Sequence, residues 1–341
     1  MKYKTLGRTG LCVSRFAFGA MTFGTGQLVP GVTNAIDQAA ANDLVALALE
    51  RGVNLFDTAD MYMAGQSEQM LGKALFGRHD ALIATKCGFR SGESLNARGA
   101  SARYLHQAVD ASLTRLGTSC IDLFFLHIPD PWTPVEETLR ALEDLTRAGK
   151  LRYIGLSNFS GWLAQKMLSL QELEGWSRLQ VMQMYYSLLG RDIEHEIVPL
   201  LKDAELGLMT WSPLASGYLT GKYTSGNDRG GRRKSFEFPP VDTVLGDKVV
   251  SELRAIGDVH RANPGQIALA WQLTKPFVSS VLVGATSREQ LEQNLGAADI
   301  ELTAEQTRTL DALTTPSLPY PAWMQPMSAD AKVLEALRMT P

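Results

Sequence analysis

The sequence predicts a single (β/α)8 barrel, and three observations carry that expectation. Strand-like apolar runs end at Gly19, Thr58, Lys86, His127, Asn158, Tyr186, Ser212 and Gly284. Between them lie segments whose apolar residues recur at a period near 3.6, punctuated by Gly and Pro. No shift in composition divides the 341 residues, a length that one barrel accommodates. A doubly wound parallel sheet shares this alternation and remains the alternative.

Each element has its own justification. Residues 3–18 read as a hairpin: Tyr3-Lys4-Thr5-Leu6, a Gly7-Arg8-Thr9-Gly10 turn, then Leu11 to Phe16. Helical spacing covers 42–51, 67–76, 101–116, 134–148, 160–173, 193–205, 264–273 and 288–297. Pro134 suits a first helical position and Gly149 a C-terminal cap. Two segments exceed the minimal repeat: a long Gly-, Arg- and Pro-containing loop at 217–245, after the seventh strand, and a tail at 315–341. Long connections in compact domains are commonly functional or mobile.

Composition excludes several classes. A hydrophobic share of 45% and a formal charge of −3 suit a globular protein without a nucleic-acid footprint. The basic cluster at 229–234 sits in a Gly-rich loop and reads as a local anion contact or a solvated turn. Cys12, Cys87 and Cys120 are odd in number and widely spaced, so neither a disulfide framework nor a zinc site follows. No run approaches the ~20 apolar residues of a membrane span, and the start has no signal-peptide pattern. A reduced, cytoplasmic setting is expected.

The chemistry gathers where strands end. Apolar Leu55-Phe56 closes on Asp57, with Tyr62 five residues on; Ala81 to Thr85 closes on Lys86, and Leu123 to Leu126 on His127. Taken singly, Asp57 is a turn cap, Lys86 a snorkelling strand end, His127 a hydrogen-bonded core residue and Tyr62 a packed aromatic. In a barrel these ends share one rim, where such folds place their sites. A free phenol has a pKa near ~10, too high to exchange protons readily near neutrality. An ammonium beside it favours the phenolate, and Asp57 would hold Lys86 charged and oriented. Asp60 keeps a plain role in the turn.

The chain resembles an aldo-keto reductase over essentially its full length. The matching pieces are Asp57-Thr58-Ala59-Asp60-Met61-Tyr62, Ala84-Thr85-Lys86, Leu126-His127, Gly149 to Phe159 and Trp211-Ser212-Pro213-Leu214, in that order. The resemblance implies a barrel whose N-terminal hairpin covers the bottom, and NAD(P)H-dependent carbonyl reduction. It implies Asp57, Tyr62, Lys86 and His127 as the catalytic tetrad, with Tyr62 the acid in reduction and the base in oxidation.

For the cofactor, Ser157, Asn158 and Gln183 offer donors and acceptors for a nicotinamide carboxamide, and Trp211 offers a stacking face. The pyrophosphate is expected along Ser212 to Lys222, including Leu214, Ser216 and Gly217, and at Gly284 to Arg288, including Thr286. By resemblance Gln290, Gln293 and Asn294 lie near the 2′-phosphate and adenine. Many family members carry lysine at Gly284 and arginine at Gln290; Ser287 and Arg288 are the substitutes here. NADPH is the favoured cofactor and NADH stays open.

A small-molecule aldehyde, ketone or alcohol is the expected partner, with oligomeric state undetermined by sequence. Met21, Phe23, Met61, Met63, Phe89, Ile128, Trp132, Tyr186 and the tail's Trp323 are candidate pocket residues. Their apolar character suggests a bulky aryl or alicyclic substrate, with Arg90 available to an anionic group. The second class of function is a non-catalytic NADP(H)-binding regulatory subunit resembling potassium-channel β subunits. No G-x-G-x-x-G follows a strand and no G-x-S-x-G occurs. Tyr218-x-x-x-Lys222 mimics a short-chain dehydrogenase pair, but in a Gly-flanked loop.

Overall fold

The protein is described here by a computed structural model covering residues 1–29, 32–33, 36–224, 233 and 236–337. Strands β1 (Tyr3–Thr5) and β2 (Cys12–Ser14) pair antiparallel. β3 (Phe16–Gly19) follows, then a short antiparallel pair, β4 (Gln27–Val29) and β5 (Val32–Thr33). Helix α1 (Gln38–Glu50) leads to β6 (Leu55–Asp57), α2 (Gln66–Ala74), β7 (Leu82–Cys87), α3 (Ala102–Leu116) and β8 (Ile121–Leu126). Then come α4 (Val135–Arg147), β9 (Leu151–Ser157), α5 (Gly161–Glu174), β10 (Leu179–Tyr185), α6 (Ile197–Asp203) and β11 (Gly207–Trp211). Helices α7 (Thr243–His260) and α8 (Pro264–Leu273) precede β12 (Ser280–Val283), α9 (Arg288–Gly296), α10 (Ala304–Thr314) and α11 (Ala331–Leu337).

The eight parallel strands close in the order β3-β6-β7-β8-β9-β10-β11-β12. The expected barrel is therefore present, and the doubly wound alternative is excluded by its closure. Strand side chains alternate between two faces. Phe16, Phe18, Phe56, Phe124 and Leu126 point outward into the layer shared with the helices. Ala17, Leu55, Ala84, Leu123, Phe125, Val181, Met209 and Leu282 fill the interior. Leu6 and Val13 of the hairpin join that interior cluster, closing the bottom. Gly7 makes the approach possible: at φ +55° it lies so close to β11 that an added Cβ would fall 2.5 Å from the Gly207 nitrogen.

Continuing the inward phase past the core positions the site. Asp57 is two residues beyond Leu55, Lys86 beyond Ala84, His127 beyond Phe125, Gln183 beyond Val181, and Trp211 beyond Met209. The register sets these ends level: Gly19 stands opposite Asp57, Gln183 opposite Ser157, and Tyr185 opposite Trp211.

Several expectations need correction. Pro134 is the N-cap of α4, one residue before its first turn. The expected helix at 193–205 divides into a 3-10 turn, Asp192–Glu194, and the shorter α6. Asp242 caps α7 through Val244 and Leu245, so the 217–245 excursion ends in a helix. Residues 225–232, 234 and 235 of that excursion lie outside the described residues, as do 338–341 of the tail. Arg233 is buried, donating to the carbonyls of Ala215 and Pro239. No described helix is long and apolar enough to cross a membrane.

Candidate active site

Lys86 is fully buried at the end of β7, and a buried ammonium needs a counter-charge. Its Nζ lies 2.5 Å from Asp57 Oδ1 and 2.7 Å from the Thr58 carbonyl oxygen. The same Nζ hydrogen-bonds the Tyr62 hydroxyl and sits 5.2 Å from the centre of that ring. Burial lowers the proton affinity of Lys86, but Asp57 and Tyr62 outweigh it and raise its pKa above the ordinary value. For Asp57, burial raises proton affinity while Lys86 and Gln183 oppose it. Gln183 Nε2 donates to Asp57 Oδ2 at 2.8 Å, so both carboxylate oxygens are engaged.

His127 faces the phenol. Its ring meets Tyr62 edge-on with centroids 5.8 Å apart, and Phe89 meets it edge-on at 4.8 Å. Burial, reinforced by the Lys86 charge, lowers its pKa well below the usual value, so the imidazole is neutral near pH 7. Its Nδ1 is buried without a hydrogen-bond partner. The structure thus brings Asp57, Tyr62, Lys86 and His127 together as one contiguous group.

The second half of the mouth is joined to the first. Asn158 Nδ2 donates to the His127 carbonyl oxygen at 2.9 Å and to Ser157 Oγ at 3.0 Å. Its Oδ1 accepts from Trp211 Nε1 at 3.1 Å. The Trp211 ring carries Phe238 nearly parallel at 5.7 Å and Tyr185 tilted at 5.1 Å. A flat ring stacking on Trp211 therefore displaces Phe238 or takes the opposite face.

Backbone geometry dominates beyond Trp211. Among the described residues, eight non-glycine residues have positive φ, and six follow the β6, β9 and β11 ends: Met63, Ala64, Asn158, Ser212, Ala215 and Ser216. Such conformations cost about 1 kcal/mol or more each and cluster at functional sites. Gly217 and Gly221 adopt positive φ without that strain. Lys222 Nζ rests over Tyr223, whereas Tyr218 is buried and donates to Asp247, so the Tyr218/Lys222 pair is not one chemical unit. At α9, Ser287 is the N-cap, Gln290 Oε1 accepts from the Thr286 N–H at 2.8 Å, and Asn294 reaches the Gly284 carbonyl. Gly284, Thr286, Arg288, Gln290 and Gln293 are exposed, which leaves the start of this helix open to solvent.

Arg288 is placed differently from its expected role. Its guanidinium pairs with Asp43 at 3.0 Å, Glu292 at 3.5 Å and Glu50 at 3.9 Å, tying α9 to α1. Of the pocket candidates, Met21, Phe89 and Ile128 are partly exposed. Phe23 is fully buried against Phe18 and belongs to the outer core, as does Tyr186, stacked on Trp271, while Met63 is buried in the turn after Tyr62. Trp323 is half-exposed beside Tyr320 in the tail. Trp132 is exposed under Arg98. Local patterning carries no signal for Tyr104 or Phe238, and Asp60, expected as a plain turn residue, is a buried acid. No cluster of His, Cys, Asp or Glu suited to a metal occurs among the described residues.

The sequence profile of the aldo/keto reductase family matches residues 15–315. The chain belongs to that family. A probable voltage-gated potassium channel subunit beta from Oryza sativa subsp. japonica is 36% identical over 321 residues, covering 88% of this chain and 92% of that protein. Versiconal hemiacetal acetate reductase of Aspergillus parasiticus is 31% identical over 348 residues, covering 94% and 99%. An uncharacterised oxidoreductase of Bacillus subtilis is 34% identical over 323 residues, covering 91% and 95%. Membership supports oxidoreductase chemistry on a small molecule for this aldo-keto reductase.

Proposed function

We infer that this aldo-keto reductase reduces the carbonyl of an aldehyde or ketone, and runs the reverse alcohol oxidation, with a nicotinamide dinucleotide as redox partner. The observation that carries the reading is the Asp57–Lys86–Tyr62 chain of contacts beneath a neutral His127. When bound, the cofactor supplies or accepts the hydride. Tyr62 then delivers a proton to the carbonyl oxygen, its phenolate being stabilised by the Lys86 ammonium. Asp57 keeps that ammonium in place, and Gln183 holds the second oxygen of Asp57 in orientation. His127, neutral, donates a hydrogen bond to the substrate oxygen and does not compete as a cation.

The donor set fits such a cofactor. Ser157, Asn158 and Gln183 adjoin the reacting groups; the strained Ser212 to Lys222 turn and the open α9 N-terminus suit a pyrophosphate. NADPH is the favoured form, on the family resemblance. Phe89, Ile128 and Met21 line an apolar approach and favour a bulky aryl or alicyclic carbonyl. The test is a carbonyl panel followed by NADPH absorbance, with NADH at equal concentration. Aryl aldehydes are expected to be turned over fastest; preference for a phosphorylated sugar or for NADH overturns those respective parts.

A second reading has a specific basis in the relatives named as potassium-channel β subunits. It predicts tight NADPH binding without oxidation across the same panel.

A further inference from the structure

Asp60 is a buried acid for which the proposed proton transfer has no use. It lies between Asp57 and Tyr62, with its own N–H donating to the Lys86 carbonyl at 3.0 Å. Its Oδ2 is 3.0 Å from the Tyr104 hydroxyl of α3, and its Oδ1 is buried with no hydrogen-bond partner. The Tyr104 hydroxyl also lies 2.8 Å from Ser91 Oγ and 3.5 Å from the Phe89 carbonyl oxygen. Phe89 presses on His127, and His127 on Tyr62. The contacts form a closed circuit: Tyr62, back two residues to Asp60, across to Tyr104, into the Phe89–Ser91 loop, over to His127, and back to Tyr62.

We propose that Asp60 and Tyr104 are positioning residues, whose contact sets the separation of the Tyr62 phenol from the His127 imidazole by holding the two loops that carry Tyr62 and Phe89. This rests on the reading of Tyr62 as proton donor. A purely structural junction would be better served by apolar side chains, because an unpaired buried carboxyl oxygen is costly. The charged and titratable groups around Asp60 are Glu68 on α2, Tyr104 and Arg115 on α3, and Cys87 on β7. Burial first, then the Glu68 charge, raises the Asp60 pKa to about 7, against Tyr104 and Arg115. The contact is therefore made by a neutral acid below neutrality. Above it, repulsion from Glu68 disturbs the turn.

The experiment measures single-turnover oxidation of NADPH by 4-nitrobenzaldehyde against pH, together with NADPH affinity by fluorescence. Tyr104→Phe and Asp60→Ala are each expected to slow hydride transfer roughly tenfold with NADPH affinity unchanged. The double variant is expected to be no slower than either, because both remove one contact. Asp60→Asn mimics the neutral acid and is expected to hold the low-pH rate within about twofold while abolishing the decline above neutrality. A Tyr104→Phe rate within twofold of the parent, or an Asp60→Asn profile that keeps the decline, overturns the proposal. Should Tyr104→Phe not fold, the Asp60→Asn profile decides alone. Tyr62→Phe run alongside separates the two failures: an active Tyr62→Phe overturns the proton-donor reading itself.

Discussion

The two halves of the barrel mouth are built on different principles. On the β6–β8 side, Asp57, Lys86 and His127 are buried side chains, the first two fixed by charge and hydrogen bonding and the third by edge-on contact with Tyr62 and Phe89. On the β11–β12 side, the 212–217 turn and the start of α9 offer backbone N–H groups, small residues and a helix end. The first half concentrates the side-chain atoms proposed above for proton transfer. The second is the strained turn and helix end proposed for the phosphates of a cofactor. A point substitution is therefore expected to act through chemistry on one side and through affinity on the other.

Four measurements press on that contrast, beginning where the largest change is expected. Tyr62→Phe removes one oxygen; the single-turnover rate is expected to fall about 10²–10⁴-fold with NADPH affinity unchanged. An equal loss of affinity would erase the distinction between the halves. Lys86→Met leaves Asp57 buried without its cation and is expected to cost about 3 kcal/mol or more in denaturant unfolding. Asp57→Asn added to Lys86→Met is expected to recover part of that loss. On the other side, Phe238→Ala frees a face of Trp211, and NADPH binding is expected to tighten by about two- to tenfold, the worth of one aromatic pair. Weaker binding would instead mark Phe238 as a clamp. Arg288→Ala is expected to shift the NADPH-to-NADH affinity ratio by less than about threefold, because its guanidinium already pairs with Asp43, Glu50 and Glu292 in partly exposed contacts. A tenfold shift would show that the arginine leaves those carboxylates for the 2′-phosphate.

The same contrast explains what was legible in the sequence. The acid, lysine and histidine each close an apolar strand run, so a barrel by itself puts them on one rim. The barrel followed for a similar reason, since its strands are continuous apolar runs separated by amphipathic helices. Phe23 was misplaced because an apolar residue in a rim loop carries no mark of which way it turns; here it turns into Phe18. The pairing of Arg288 with Asp43 and Glu50 is invisible to local patterning because those carboxylates are more than two hundred residues away in the chain. Helix α7 is absent from the expected helices because its cap, Asp242, follows a Pro- and Gly-rich stretch that reads as loop. Asp60 is a turn residue, but it is buried and bonded to Tyr104 of α3, and nothing in local patterning connects the two.

Among the described residues, six of the eight non-glycine residues in left-handed conformation belong to the mouth, while the barrel strands carry none. The molecule thus carries its conformational tension in the loops that do the work and its cohesion in the strands that do not. Warming draws on the weaker store first. The catalytic arrangement would then loosen, and activity would fade reversibly, at temperatures where the strands still hold their register.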